Sequence, residues 1–197
     1  SLQSIESSFR FIQDADSEKQ KINIVSNSIF IALCGIIIYE IVLVLIYYFF
    51  NIDNMIIFMI YVPINILAYL LLHTVRGMDF TGSFVISNII ATIIAAISNF
   101  VFIVFLSLGS LSLLIAPILA NLSMTLFIFL YHRYWKYIDF RTIDKIEIGR
   151  QLKFAIPLIP NAISLWLLSS IGRFVLLYYF GPEANGLLAF SLRFPLI

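Results

Sequence analysis

Five apolar runs, separated by short polar connections, dominate the hydropathy pattern of the chain. They cover residues 29–50, 55–72, 84–108, 111–131 and 154–180, and a sixth run begins near Glu183 and still continues at Ile197. A helix needs roughly 20 predominantly apolar residues to cross about 30 Å of hydrocarbon. The pattern therefore predicts an all-α, polytopic transmembrane helical bundle with five complete spans and the start of a sixth.

The composition agrees with a membrane protein. Hydrophobic residues make up 61% of the 197 and charged residues only 12%, whereas soluble domains carry about 25% charged residues. The net charge of +1 gives no indication of a nucleic-acid partner. Because Cys34 is the single cysteine, the chain contains no intrachain disulfide. No glycine-rich phosphate loop, HExxH motif or cysteine pair occurs in the sequence, so it predicts no enzyme, no cofactor and no metal site.

The two ends predict that the chain is an internal piece of a larger, transporter-sized protein. It begins with SLQSIESSFR, without methionine, and ends with SLRFPLI inside an apolar run. We divide it into a cytoplasmic amphipathic segment (1–23), transmembrane helices of an N-terminal half (24–131), a cytoplasmic connector (132–153) and the start of a C-terminal half (154–197).

The distribution of lysine and arginine predicts the orientation. Short cytoplasmic loops of membrane proteins carry an excess of these residues. Connections 51–54, 107–112 and 181–186 contain none. The alternate connections contain ten, namely Arg10, Lys19, Lys21, Arg76, Arg133, Lys136, Arg141, Lys145, Arg150 and Lys153. Residues 1–23 and 132–153 are therefore predicted to be cytoplasmic.

Both cytoplasmic segments have amphipathic patterns. Leu2, Ile5, Phe9 and Ile12 recur at spacings of three and four residues, which places them on one face of a helix. Such a helix lies on the membrane surface or packs beneath the bundle; the alternative is that it is the end of a preceding spanning helix. Residues 138–153 mix apolar and charged positions and are predicted to form a short amphipathic connector.

Three ionisable side chains interrupt the apolar runs: Glu40, Arg173 and Arg193. An ionisable residue at the centre of a spanning helix costs roughly 2.5–3.5 kcal/mol and usually faces a cavity, a partner or a pathway. Two arginines at similar depth are suited to bind one anion, because a guanidinium matches phosphate or carboxylate. Glu40 is a candidate counter-ion or coupling residue. The alternatives are that Arg173 extends to the outer interface, or that Glu40 pairs with an arginine and only stabilises packing.

Four prolines lie in or beside the spans and are predicted to bend helices: Pro63, Pro117, Pro157 and Pro160. A proline inside a helix removes a backbone hydrogen bond, and transporters use broken helices as moving parts. The alternative for each is a static kink that improves packing.

A resemblance to a known family is carried by residues 152–197, LKFAIPLIPNAISLWLLSSIGRFVLLYYFGPEANGLLAFSLRFPLI. Three features of this stretch resemble helix seven and the start of helix eight in polysaccharide biosynthesis exporters. They are a basic residue before an apolar residue and PLIP, an arginine followed by apolar residues, and the short turn GPEANG. These exporters are the O-antigen and lipid-linked oligosaccharide flippases of the multidrug/oligosaccharidyl-lipid/polysaccharide exporter superfamily. SSFRFIQD and HTVRGMDFTGSF resemble the cytoplasmic stretches flanking helices three and four of that family.

The resemblance implies that the five complete spans are helices three to seven of a fold with two pseudo-symmetric halves. It further implies alternating access, a cationic central cavity and an undecaprenyl pyrophosphate-linked oligosaccharide as substrate. The implied location is the bacterial cytoplasmic membrane, beside membrane lipid, glycosyltransferases and a polysaccharide polymerase of O-antigen, lipopolysaccharide or capsule assembly. Family members often carry an aspartate before the helix-seven arginine; here Gly172 occupies that position, so Arg173 would act alone.

Two other functions fit the sequence. A cation-coupled exporter of drugs or small molecules on the same fold would depend on Glu40 rather than on the arginines. A non-transporting membrane scaffold in polysaccharide assembly would need neither.

Overall fold

The computed structural model describes residues 3–50 and 55–191, and within these ranges the chain is helical, with no strand. The described part contains α1 (Ser4–Gln13), α2 (Glu18–Phe50), α3 (Met55–Gly77), α4 (Thr81–Val104), α5 (Ser112–Tyr131), α6 (Lys145–Ala155) and α7 (Leu158–Ser191). Short 3-10 helices cover Gly109–Leu111, Tyr134–Tyr137 and Phe140–Thr142. The predicted all-α class is confirmed.

Five segments are long and apolar enough to cross a membrane. Four of them are α2, α3, α4 and α5, and the fifth is Lys145–Leu188, which includes α6 and most of α7. The molecule is therefore a multi-pass membrane protein, as the five apolar runs predict. Its helix α2 begins at Glu18, well before the apolar run at Ile29. Residues 18–20 are exposed, whereas the three polar residues directly before the run, Ser26, Asn27 and Ser28, are buried and hydrogen bonded.

The chain divides into two compact units, residues 1–156 and 157–197. In the first unit, α5 packs against α3 and α4, and α3 packs against α2. Helix α1 contacts α2, α3 and α6. One end of this unit is formed by α1, the first part of α2, the end of α3 and residues 132–155. We call it the basal end.

The core of the first unit is concentrated toward the basal end. Large side chains that are fully buried there include Ile12, Val25, Leu72, Ile128 and Tyr134. The opposite part of α2, by contrast, exposes a series of large apolar side chains from Ile37 to Phe50. Exposed apolar surface of this extent is what a lipid-facing helix presents, since lipid tails are themselves apolar.

Helix α1 packs beneath the bundle, as one of the two alternatives for this segment predicts. It ends at Gln13, and α2 begins separately at Glu18. Ile12 is 1% exposed, whereas Ile5 and Phe9 are partly buried and Leu2 lies outside the described residues. Gly77 allows the close approach of α1 to α3, because a Cβ there would lie 3.2 Å from Ile12 Cβ and 3.2 Å from the Phe9 carbonyl oxygen.

The second unit is described through α7. Its backbone is helical except at Gly181, where φ is 80° and ψ is −179°. Only glycine adopts such a conformation readily. The turn predicted over 181–186 is therefore shorter than expected: one glycine interrupts the helix, and Pro182 follows where its missing N–H costs little.

Candidate functional site

Arg173 lies on α7 and its side chain is exposed within the described residues. No acidic group in the described part of the chain lies within ion-pair distance of it; the ion pairs found there are Lys21–Glu18 and Arg150–Glu147. One turn before Arg173 on the same face are Ser169 and Ser170. The guanidinium is thus free to bind an external anion.

Arg193, the second predicted anion ligand, lies outside the described residues. The predicted pairing of two arginines at similar depth therefore stays a prediction. Arg173 is the member of the pair whose surroundings are described.

Glu40 lies on α2 and is half-buried, and its Oε1 atom is buried without a hydrogen-bond partner among the described residues. The preceding residue, Tyr39, lines a cleft of about 300 Å³. Five residues of α2 and two of α3 line this cleft: Ile31, Ala32, Gly35, Ile38, Tyr39, Val62 and Ile66. A buried carboxylate oxygen without a donor is energetically unfavourable; the role of Glu40 as a counter-ion or coupling residue stays a prediction.

The four prolines occupy three kinds of position. Pro63 lies inside α3 and Pro117 inside α5, and both helices continue through them. Pro160 lies in the first turn of α7, where a missing N–H breaks no hydrogen bond. Pro157 precedes α7 and separates it from α6, which ends at Ala155. Pro157 therefore lies at the break between α6 and α7, and not inside the first turn of α7.

The sequence analysis missed a buried polar cluster at the basal end. Ser26, Asn27 and Ser28 of α2 are buried, and their side chains bind residues 139–151. Asp139 N–H donates to Ser26 Oγ at 2.9 Å, and Asp144 N–H donates to Asn27 Oδ1 at 3.0 Å. We call these contacts, together with those of Gln151, the polar seam.

Gln151 of α6 completes the polar seam. Ser28 Oγ donates to Gln151 Oε1 at 2.9 Å, and Gln151 Nε2 donates to the Ile24 carbonyl at 3.2 Å. Gln151 is fully buried, so both ends of its amide are paired where water is excluded. The sequence signal for this cluster was three consecutive polar residues, Ser26 to Ser28, directly before the apolar run that begins at Ile29.

Arginine–aromatic contacts hold α1 to its neighbours. The Arg76 guanidinium lies 5.0 Å from the Phe9 ring centre and 5.3 Å from the Phe84 ring centre. Arg10 lies 4.8 Å from the Phe154 ring centre, and Arg150 lies 4.3 Å from that of Phe11. Three of the basic residues that predict the orientation therefore also stabilise the basal end by cation–π interactions.

Two titratable groups follow directly after α5. Tyr134 is buried and its hydroxyl lies 2.5 Å from Thr74 Oγ1; burial raises the pKa of Tyr134, and the Thr74 hydrogen bond partly opposes this. His132 lies 4.5 Å from the Phe80 ring, centre to centre. Burial lowers the pKa of His132, and its Nε2 has no partner in the described part of the chain.

Comparison with protein-family models, with curated proteins and with solved structures found no match to this chain. The family resemblance of residues 152–197 therefore stays a prediction.

Proposed function

We propose that the chain is part of an exporter that flips an undecaprenyl pyrophosphate-linked oligosaccharide across the bacterial cytoplasmic membrane by alternating access. The observation that carries this proposal is Arg173, a guanidinium on an apolar helix with no acidic partner among the described residues. A cation in this setting is stabilised by an anion or by water, since lipid solvates neither charge nor hydrogen-bond donors.

A pyrophosphate suits this site chemically. The guanidinium presents a planar set of donors that binds phosphate oxygens in a bidentate manner. The lipid tail of the substrate stays in the bilayer while its charged group is held by protein. Arg193, which is near in sequence, supplies a second cation in this proposal.

The position of Arg173 along its helix agrees with a site inside the membrane. At about 1.5 Å per residue, Arg173 lies roughly 22 Å from Leu158 at the start of α7 and roughly 12 Å from Gly181. The positive-inside rule predicts that the basal end, which carries the basic residues, is cytoplasmic. Arg173 then lies in the outer half of the bilayer.

Prolines inside spanning helices support a transporter that changes conformation. Pro63 and Pro117 lie within α3 and α5, and each removes one backbone hydrogen bond from its helix. Transporters use such weakened helices as moving parts. In this proposal the exporter works beside the glycosyltransferases and polymerase that build and consume its substrate.

The experiment replaces Arg173 in the full-length protein by glutamate, alanine or lysine. In the alanine and glutamate variants we expect the amount of surface polysaccharide to fall about tenfold or more at normal protein abundance, because hydrogen bonds to a charged group contribute about 1.5–3 kcal/mol. Lysine keeps the charge but not the bidentate geometry, so the loss is smaller. Polysaccharide and abundance are measured on the same cells.

The matched control is Arg141→Glu, which reverses an exposed charge at the basal end whose only hydrogen bond among the described residues uses the backbone N–H. We expect it to retain export. Unchanged polysaccharide in all three Arg173 variants would refute the proposal.

A cation-coupled exporter of small molecules is a second candidate, favoured by the unpartnered Oε1 of Glu40. In that case Glu40→Gln abolishes drug resistance while Arg173→Ala does not. If neither substitution affects drug resistance or polysaccharide, the non-transporting scaffold is the remaining function.

A further inference from the structure

We propose that residues 134–155 form one rigid body with α1 and the first turns of α2, and that the chain becomes a hinge only at Ile156–Pro157. The connector between the two halves is then not a flexible linker but a part of the first half. The attachment itself is independent of transport; the statement that the hinge is used in the transport cycle depends on the proposed function.

The first attachment is made by Asn27, whose side chain binds the connector on both of its polar atoms. Its Oδ1 accepts from the Asp144 N–H at 3.0 Å, and its Nδ2 donates to the Thr142 carbonyl at 3.4 Å. Ser26 Oγ accepts from the Asp139 N–H. Three backbone groups of the connector therefore depend on two adjacent side chains of α2.

The second attachment fixes α6. Its N-cap is Asp144, whose carboxylate accepts from the Ile146 N–H at 3.2 Å, so the residue held by Asn27 also starts the helix. Further along α6, Gln151 is bound by Ser28 and by the Ile24 carbonyl. The helix is thus held to α2 by polar contacts at its start and in its later turns.

The third attachment is aromatic and joins α6 to α1. The rings of Phe11 and Phe154 meet edge to face at 5.6 Å, and the Arg10 and Arg150 guanidinium groups lie over the same two rings. At the other end of the connector, Tyr134 is buried and hydrogen bonded to Thr74 of α3. The connector is therefore fixed at both ends and in the middle.

The attachments end where the helix ends. The Ile156 N–H donates to the Leu152 carbonyl at 2.8 Å and closes the last turn of α6. Pro157 has no N–H to continue the ladder, and both Ile156 and Pro157 are exposed. The division into compact units falls between these same two residues.

Movement of the connector away from α2 would break the bonds that Asn27, Ser28 and Gln151 make across the polar seam and leave these side chains only their bonds within their own helices. The Asn27 Oδ1 and Gln151 Oε1 acceptors would lose their donors across the seam, and buried polar groups are costly to leave incompletely paired. Rotation about Ile156–Pro157 breaks none of the hydrogen bonds of the polar seam. Hinges are formed by a few residues at the ends of elements, and this position has that character.

Hydrogen exchange on the full-length protein tests the attachment. We expect amides 144–152 to be protected as strongly as those in the first turns of α2, and Asn27→Ala to raise their exchange about tenfold or more while α4 and α5 keep their protection. Ser123→Ala, which removes a hydroxyl that donates only within α5, is the control. Rapid exchange of 144–152 in the unmodified protein overturns the proposal.

A disulfide tests whether the connector detaches during transport. Ser26→Cys and Asp139→Cys are combined in a Cys34→Ala background, because the 2.9 Å bond from the Asp139 N–H to Ser26 Oγ limits the distance between the two Cα atoms to about 7 Å. The full-length protein is oxidised in membranes, and we expect the disulfide to form and export to continue at the rate of the reduced double variant. Loss of export that reduction restores overturns the rigid attachment.

The two proposals fail separately. Exchange and disulfide formation require no substrate, so they report on the attachment even if Arg173 proves to have no role in export. Conversely, a flexible connector would leave the result of the Arg173 substitutions unchanged.

Discussion

The structural role of a residue at the basal end depends on the residues packed around it and not on its type alone. Gly77 and Gly82 are both helical glycines, yet only Gly77 is in close contact with another helix. A sequence pattern does not distinguish the two, because the distinction depends on α1 packing against the end of α3. The same holds for Ser26, Asn27 and Ser28, because their burial depends on contact with residues 139–151, which are distant in the sequence.

We predict that Gly77→Ala weakens the attachment of α1. The added Cβ would lie 3.2 Å from Ile12 Cγ2, and crowding of this kind costs about 1–3 kcal/mol, partly offset by the better helix propensity of alanine. The weaker attachment of α1 is measured by the free energy of unfolding in detergent and by the hydrogen exchange of the α1 amides. Gly82→Ala is the control, since no atom lies within 4 Å of its added Cβ, and equal effects of the two substitutions would contradict the prediction.

We also predict a contribution of His132 to the pH dependence of stability. Its pKa is lowered by burial from 6.5, so the unfolded state binds the proton more readily than the folded state. Stability is therefore unaffected above about pH 6.5 and falls as the pH drops below it. The thermal midpoint of the full-length protein, measured from pH 7.5 to 5.5, should decrease less in His132→Gln; an identical decrease in both proteins would count against this role.

At the scale of elements, hydropathy predicted which segments form spanning helices but not where all of them begin. The starts of α3 and α5 agree with the apolar runs within a residue, because polar connections precede them. The start of α2 does not, since buried polar residues continue the helix below the apolar run. For α1, periodicity predicted the helix but left its packing open, because packing depends on residues distant in the sequence.

The break between α6 and α7 is predicted to depend on Pro157. Pro157→Ala restores an N–H one turn after Lys153, so the two helices can join and the hinge stiffens. We expect slower exchange of amides 156–158 and reduced export. Pro160→Ala lies in the first turn of α7 and should change neither; equal behaviour of the two variants would argue against a specific role of Pro157.

For the whole molecule, the sequence predicted a multi-pass helical protein correctly, while the candidate site is described only in part. Arg173 and Glu40 are on the described helices, and Arg193 is not. In the proposed exporter, the depth of Arg173 in the bilayer depends on which side of the membrane the basal end occupies. That question is accessible to a direct measurement.

We predict that the basal end is cytoplasmic. In a Cys34→Ala background of the full-length protein, Ile146→Cys on α6 should react with a membrane-impermeant thiol reagent only after the cells are opened. Ser107→Cys, between α4 and α5, should react in intact cells; both positions are exposed. The reverse labelling pattern would invert the orientation and place Arg173 in the inner half of the bilayer.

The polar seam joins residues that are synthesised at different times. Asn27 and Asp144 are 117 residues apart, and ribosomes add about 5–20 residues per second. Asn27 is therefore added to the chain roughly 6–23 s before Asp144. During that interval Ser26 Oγ and Asn27 Oδ1 lack the N–H donors that the connector later supplies. Water, lipid headgroups or an insertion factor would have to supply donors to these two oxygens until the connector is made.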